Sequence, residues 1–488
     1  MTETMGTNRE VGGEAARWSA PEVDWEASGS PYLTGQYQPV RDERDDHDLE
    51  VVGELPPGLA GAYLRNGGNP YFAPAGGYHV FDGDGMIHGV HLDGEGGASY
   101  SNRWVRSRGL AHERDQGHSV YGGLAEFKMP DADALAAGGL FKNTANTNIV
   151  RHAGRQLALM EGAHPTELGD DLSTIAEYDF GGRLEGAMTA HPKVDPDTGE
   201  MLFFGYSPFP PYLRYHVVSA SGELTRSTDI PMDRGVMMHD FVTTPNHAIF
   251  FDLPAIFDGE AMMAGDPAIR WSPQSGARIG VLPRDGDVED MTWIDVDPFY
   301  VFHFMNAYES DGRILVDGCR ASAMPTSFGD DPLPEHGIRP YLWQWEIDPA
   351  AGSVLERQLD DRTGDFPRIN DGFNGKPYRF GYQAHTSSWT QGEGVWFDGV
   401  IQFDHESGSS AECILGDDVV MGEVAFAADP AGSAENDGWL VAFASDLPAG
   451  TSEFVVIDTR DVSAGPVARV QLPRRVPFGF HGNWMPSD

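Results

Sequence analysis

Lysine is nearly missing from this chain. It occurs four times in 488 residues, as Lys128, Lys142, Lys193 and Lys376. Lysine and arginine together number 33 against 75 acidic residues, a formal net charge of −42. An acidic excess scattered through the chain makes a solvated, self-repelling surface. It argues against nucleic acid and strongly anionic membranes as partners. Such a surface suits a cytoplasm of very high salt, where the repulsion is screened, and points to a salt-loving microbe. Cysteine is scarcer still. Cys319 and Cys413 do not make a disulfide framework, which indicates a reducing, cytoplasmic compartment. No run of 18 apolar residues occurs, so no transmembrane helix is expected. The first 25 residues lack the apolar core of a signal peptide. Residues 1–30 read as a mobile acidic tail and 31–488 as a single domain.

Helix signals are also few, confined to Asp131–Ala137 and Ala255–Ala264. Turn signals are abundant instead: 60 glycines and 34 prolines cut the chain into short pieces. Between them run apolar or alternating segments such as Gln156–Met160, Glu200–Tyr206, Ala248–Leu253, Gly394–Phe403 and Trp439–Ala444. Asp195-Pro196-Asp197-Thr198-Gly199 is typical of the turns that separate them. Many short hairpins without a break in composition predict one closed all-β fold, a propeller or a large barrel. No strict repeat marks the blades.

Seventeen histidines are too many to be informative one by one. Four sit among apolar or small residues at strand edges: Ala190-His191-Pro192, Met238-His239-Asp240, Phe302-His303-Phe304 and Phe480-His481-Gly482. Their intervals of 48, 64 and 178 residues form no local metal motif. For any one alone, a buried histidine satisfied by the backbone is the better reading. Two other patterns carry less than they promise. His112 to His118 looks metal-rich, but the zinc-protease motif needs histidine where Gln116 stands, so a polar loop is expected. Asp82-Gly83-Asp84-Gly85 lacks the later ligands of a calcium loop and reads as a tight turn.

Order decides what spacing does not. The four histidine segments occur with Leu64-Arg65-Asn66-Gly67, Phe81-Asp82-Gly83-Asp84-Gly85-Met86, Asn146-Thr147-Asn148, Leu157-Ala158-Leu159-Met160-Glu161, Phe366-Pro367-Arg368-Ile369 and Glu435-Asn436-Asp437-Gly438. In this order they resemble the carotenoid cleavage oxygenases, a family that includes apocarotenoid and lignostilbene dioxygenases and the retinoid isomerase. The resemblance runs from about Pro31 to Trp484. It implies an all-β, seven-bladed propeller with a loop or helical cap over an iron face. It implies Fe(2+) held by His191, His239, His303 and His481, which neutral imidazole suits. Four such ligands leave two of six positions open for O2 or water. It further implies that Glu161 supports His239, Asp365 supports His303 and Glu435 supports His481, each carboxylate fixing a ring by its other N–H.

Two departures from the family pattern stand out. Asp365 replaces the usual glutamate and is one methylene shorter, so reaching His303 is expected to need a backbone shift or a water. Met160 and Leu124 stand where lignostilbene cleavers resemble one another in having a lysine and a tyrosine for a substrate phenol. Thr147, Met160 and Phe302 are expected to face O2 or substrate. The implied reaction is insertion of O2 across one carbon–carbon double bond of a carotenoid or apocarotenoid, with no protein acid or base required. The alternatives are the same cleavage on a stilbene or phenylpropenoid, an isomerase, or an idle carotenoid-binding propeller. Four intact histidines argue against the last. An apolar polyene must still reach an acidic protein. Ile256, Phe257, Met262 and Met263 are expected to form an exposed patch for transient membrane contact at a tunnel mouth, against a bland reading as core.

Overall fold

The computed structural model describes residues 17–264, 268–324, 338–387 and 397–487. Its antiparallel sheets divide into seven blades. Six sheets of four or more strands appear in the pairing pattern, and the largest has seven strands. That sheet is two blades sharing one long strand, Ser353–Ile369. Up to Thr363 this strand pairs with Tyr341–Asp348, and from Gly364 onward with Phe380–His385.

The blades follow chain order, except where the ring closes. The first blade ends inward on the C-terminal strand Gly482–Pro486, which pairs with Ala60–Arg65. The last blade takes Val51–Gly53 as its outer strand, against Pro466–Gln471. Both termini therefore cross the seam between first and last blades.

Each blade interface has its own apolar core, which explains why central strands read as continuous apolar runs. Met201–Tyr206 is the clearest case. Leu202 and Phe204 pack toward the following blade with Tyr215, Phe241 and Phe250. Met201 and Phe203 pack toward the preceding one with Leu157 and Leu159. Outer strands alternate instead, as in Leu224–Ile230, whose ends are buried and whose middle faces solvent. Full burial of one such Phe or Leu is worth roughly 1.5–3 kcal/mol, and seven interfaces share the load.

The strand rhythm of the sequence holds at Gln156–Met160, Glu200–Tyr206, Ala248–Leu253 and Trp439–Ala444, which the structure places in Arg155–Leu159, Met201–Tyr206, His247–Asp252 and Gly438–Asp446. Of Gly394–Phe403, residues 394–396 lie outside the described residues and the rest enters Gly399–Asp404.

Three expectations need correction. The tail does not extend to residue 30. Trp25 and Ala20 are buried, Ser19 bridges to Asp42, and Ala20 N donates to Arg41 O at 2.7 Å; residues 1–16 lie outside the described residues. The two tryptophans Trp18 and Trp25 are too costly to leave in water, and an acidic neighbourhood does not change that. Secondly, the segment around His112 is a helix, α1 (Arg108–Gln116), not a loop. Ser107 Oγ caps it by accepting from Leu110 N at 3.3 Å, and Gly117 ends it at φ +79°. Thirdly, Ala255–Ala264 is only half helical. Ala255–Phe257 is a strand paired with Ile269–Trp271, and the helix is Gly259–Ala264. The expected helix over Asp131–Ala137 is present as α2 (Ala132–Gly138), capped by Asp131.

The helices α1 and α2 belong to a long insertion, residues 105–146, that follows the strand Ala98–Trp104 and covers one end of the propeller. Lys142 ties this cap down. Its Nζ lies 2.8 Å from Asp84 and 2.7 Å from Glu113 of α1. Among the described residues, no helix is long and apolar enough to cross a membrane.

Candidate metal centre

Seven side chains stand at the inner edge of the seven blades, near the starts of the inner strand segments. In ring order they are His481, Thr147, His191, His239, His303, Asp365 and Glu423. Hydrogen bonds and one ion pair join one blade to the next around this ring. His481 N donates to Thr147 O at 3.1 Å, and Asn148 Nδ2 to Ala190 O at 2.7 Å. Thr189 Oγ1 donates to His239 O at 3.2 Å, and Phe304 N to Asp240 Oδ2 at 2.9 Å. His303 Nδ1 meets Asp365 Oδ1 at 2.8 Å. Arg368 Nη1 lies 3.6 Å from Glu423 Oε1, and Gly482 N donates to Glu423 Oε2 at 2.8 Å, which closes the circle.

The four predicted histidines converge. Their ligand atoms all lie within 4.8 Å of one another, and all four rings are buried. His191 Nε2 and His239 Nε2 are 2.9 Å apart, and His239 Nε2 and His303 Nε2 are 3.0 Å apart. His239, His303 and His481 each direct Nδ1 at a carboxylate: Glu161, Asp365 and Glu423. Each Nδ1–H is thereby committed outward, so each Nε2 presents a lone pair inward. Lone pairs facing at 3 Å repel unless a cation lies between them. Two imidazole nitrogens at right angles on one ion, each about 2.1 Å away, would be about 3.0 Å apart. The donor set therefore fits a metal ion. Burial and the neighbouring imidazoles hold His191 and His303 well below the ordinary histidine range. Burial works the same way on His239, but the Glu161 charge and hydrogen bond outweigh it and raise this ring.

Glu161 meets His239 Nδ1 and is itself held by the Tyr206 hydroxyl. Asp365 Oδ1 reaches His303 Nδ1 directly, at 2.8 Å. The strand is bulged to let it do so. Register slips between Asp365 and Arg368, and Phe366 sits at φ +52°, a costly conformation for an aromatic residue. Glu435 does not support His481. Its carboxylate accepts from the backbone N–H groups of Arg379 and Phe380, at 2.8 and 2.7 Å. Glu423 takes the role, 3.1 Å from His481 Nδ1. A signal for it exists in the sequence: Glu423 is the lone acid inside the apolar run Val419–Phe426, and a buried acid needs a partner.

A cavity of about 1410 Å3 opens onto the ring at His239, His303 and His481. Thr147, Met160 and Phe302 all line it. So do Leu124, Phe141, Phe257, Phe366, Phe397 and Phe480. Phe302 packs edge-on to His239, with ring centroids 5.1 Å apart. Thr147 Oγ1 is tied to Asn146 Oδ1 at 3.0 Å, and Asn146 Nδ2 to Gly83 O at 2.7 Å. The expected four-residue patch is not exposed as a unit. Met262 is buried, and Ile256 and Phe257 pack against blade cores. Only Met263 of the four is exposed, at 62%. Phe209 (53%) and Leu135 (48%) are exposed and line the cavity, and Phe209 shares with Met263 an adjoining hollow of about 530 Å3.

A propeller with four buried histidines on its axis and an apolar cavity above them has the form of a metal-dependent enzyme for an apolar substrate. The family model described as retinal pigment epithelial membrane protein matches residues 37–486. A carotenoid 9,10(9',10')-cleavage dioxygenase of Phaseolus vulgaris is 35% identical over 94% of this chain and 90% of its own length. The lignostilbene dioxygenase of Pseudomonas brassicacearum superposes with a TM-score of 0.87 at 30% identity, over 94% of this chain and 99% of the other. Cobalt-substituted apocarotenoid oxygenase of Synechocystis gives 0.83 at 29% identity, over 94% and 98%. The chain belongs to the carotenoid cleavage oxygenase family, and iron(II) is the cofactor its donor set suits.

Proposed function

We propose that this protein cleaves one carbon–carbon double bond of a carotenoid or apocarotenoid with O2, giving two carbonyl products. The observation that carries the reading is the cavity: about 1410 Å3 of space running to three of the four histidines, walled mostly by aromatic and aliphatic side chains. A conjugated chain offers no hydrogen-bonding group along its length, so shape and apolar contact must position it. Phe302 and Phe366 flank the histidines, at 5.1 Å from His239 and 4.9 Å from His303 between ring centroids, where they would clamp the reacting segment.

In this reading His191, His239, His303 and His481 hold iron(II), and Glu161, Asp365 and Glu423 fix three of the rings. When bound, the iron supplies the O2 chemistry. The chain's own contribution is to orient the rings, to exclude water, and to limit the space beside the metal, a task that falls to Thr147. The scheme requires no protein acid or base to act on substrate.

The second reading is the same cleavage on a phenolic stilbene, favoured by the lignostilbene dioxygenase among the relatives. Met160 and Leu124 speak against it. Both line the cavity and neither can stabilise a phenolate. O2 uptake by the iron-loaded protein with apocarotenoids and with stilbenes, followed by product masses, separates the two. Turnover of stilbenes alone would overturn the polyene reading; double-bond isomerisation without O2 uptake would overturn cleavage.

Phe209, Met263 and Leu135 at the rim support transient contact with a membrane surface, the source of so apolar a substrate. The acidic excess supports a cytoplasm rich in salt. It also disfavours nucleic acid as a partner.

A further inference from the structure

Three of the four rings have a carboxylate at Nδ1: Glu161 for His239, Asp365 for His303 and Glu423 for His481. Among the described residues, no carboxylate pairs with His191. Its strand gives it little support either. Lys193–Val194 is two residues long, paired with Leu202 and Met201, whereas His303 lies in the long strand Tyr300–Ser310. On its N-terminal side the His191 segment is tied down. Asn148 Nδ2 donates to Ala190 O at 2.7 Å, and His191 N to Thr189 Oγ1 at 3.2 Å. Pro192 restricts the His191 backbone to extended conformations but does not fix the segment in space. The C-terminal side needs an anchor of its own.

Lys193 supplies one. It is one of only four lysines in the chain, and its Nζ lies 2.8 Å from Asp240 Oδ1. The Asp240 side chain is 1% exposed. Its Oδ1 also accepts from Phe241 N at 2.8 Å, and its Oδ2 from Phe304 N at 2.9 Å. Asp240 directly follows His239, and Phe304 directly follows His303. One carboxylate therefore joins the His191, His239 and His303 segments, which come from three successive blades. Two amide donors do not neutralise a buried carboxylate; the ammonium does.

We propose that Lys193 and Asp240 are positioning residues for His191: their ion pair holds the His191 segment against the two neighbouring ligand segments, and so sets the one ring that no carboxylate seats. The proposal rests on reading the four histidines as metal ligands. Neither side chain lines the cavity, so the pair acts on the metal site without touching substrate.

The test is cobalt(II) titration of the metal-free full-length protein, read by visible absorption, together with its thermal unfolding. The proteins are wild type, Lys193→Arg, the double variant Lys193→Met/Asp240→Asn and, for comparison, Lys142→Met. The double variant breaks the tie and leaves no buried charge unpaired. It should bind cobalt about 10-fold more weakly, the lower end of what losing the support of a metal ligand costs, with an altered ligand-field spectrum. Lys193→Arg keeps a cation beside Asp240 and should recover most of the affinity. Lys142→Met breaks the ion pairs of the cap; it should lower the unfolding midpoint and leave cobalt affinity and spectrum at their wild-type values. Wild-type affinity and spectrum in the double variant would overturn the proposal. So would a Lys193→Arg protein as weak as the double variant, or an equal loss of affinity in Lys142→Met, which would make general loosening of the fold the cause. Wild-type protein that binds no cobalt would instead overturn the metal-site reading itself. Should the double variant fail to fold, Lys193→Met alone takes its place, with the same outcomes deciding.

Discussion

On the propeller axis, polar side chains from all seven blades are bonded to their neighbours in a closed circuit; a few residues away, the cavity wall consists largely of side chains held by contact alone. The ring gains its precision from direction. Three of the four rings direct Nδ1 at a carboxylate, and two of those carboxylates are fixed in turn, Glu161 by Tyr206 and Glu423 by Arg368. The wall gains its selectivity from volume, supplied by residues as far apart as Leu124, Phe257 and Phe480. Changes in the ring should therefore act on metal and rate in steps, and changes in the wall should act on substrate choice by degrees.

The largest effect should come from the ring itself. His191→Ala, His239→Ala, His303→Ala or His481→Ala should each abolish turnover and leave the purified protein with little or no iron. Far-UV circular dichroism and cooperative unfolding should persist, because the fold is carried by the seven apolar interfaces. Metal analysis checks this. Full iron occupancy in any one variant removes that histidine from the ligand set.

Next in size is the contrast between two glutamates. Glu423→Gln keeps shape and removes the charge beside His481, and should weaken metal binding on the order of 10- to 100-fold. Glu435→Gln should leave metal affinity unchanged and cost some stability, since its carboxylate caps the N–H groups of Arg379 and Phe380. Thermal unfolding and metal titration of the pair separate the roles. The reverse outcome would restore Glu435 as the partner of His481.

That pair also shows where sequence reading stopped. The ligands were recognisable because four histidine segments stand in order among other motifs; no spacing rule would have joined His303 to His481 across 178 residues. Glu423 was passed over because it lies in an apolar run without turn signals, whereas Glu435 sits in the conspicuous Glu435-Asn436-Asp437-Gly438. Only the sheet register shows that Glu423, just ahead of the strand Ala425–Ala428, is the seventh blade's inward residue. The strands were legible from apolar runs between turns. Helix α1 was not, because one face carries only Leu110 and Glu113 as large buried residues, too little for a visible period. The burial of Trp25 and the packing of Trp18 against Tyr71, Arg106 and Arg114 are masked in the sequence by acidic neighbours.

A smaller effect should follow from rewriting the wall. Met160→Lys with Leu124→Tyr puts a cation and a phenol at the two cavity positions where this chain has none. Preference for a phenolic stilbene over an apocarotenoid, as a ratio of kcat/KM values, should rise by about 10-fold or more, because a site built to bond a hydroxyl discriminates better than an apolar one. Metal content should stay at the wild-type level. An unchanged ratio with intact metal would mean that these two positions do not touch the substrate's end group.

The weakest effect, and the one most dependent on conditions, belongs to the cavity mouth. Phe209, Met263 and Leu135 stand exposed near an opening through which an apolar substrate must pass. Inserting one such side chain into lipid is worth at most roughly 1.5–3 kcal/mol, while a protein of net charge −42 is repelled by anionic headgroups. Docking should therefore be weak and reversible at low salt. Raising the salt from about 0.1 to 1 M shortens the screening length from about 10 to about 3 Å and leaves apolar burial intact, so binding to anionic vesicles should strengthen with salt and approach that seen with zwitterionic ones. The double variant Phe209→Ser/Met263→Ser should bind vesicles several-fold more weakly at every salt concentration, yet turn over a detergent-dispersed substrate at the wild-type rate, since neither side chain touches the ring. Liposome co-sedimentation of the two proteins across a salt series measures this directly, and equal sedimentation throughout would mean that substrate enters without the rim meeting a membrane.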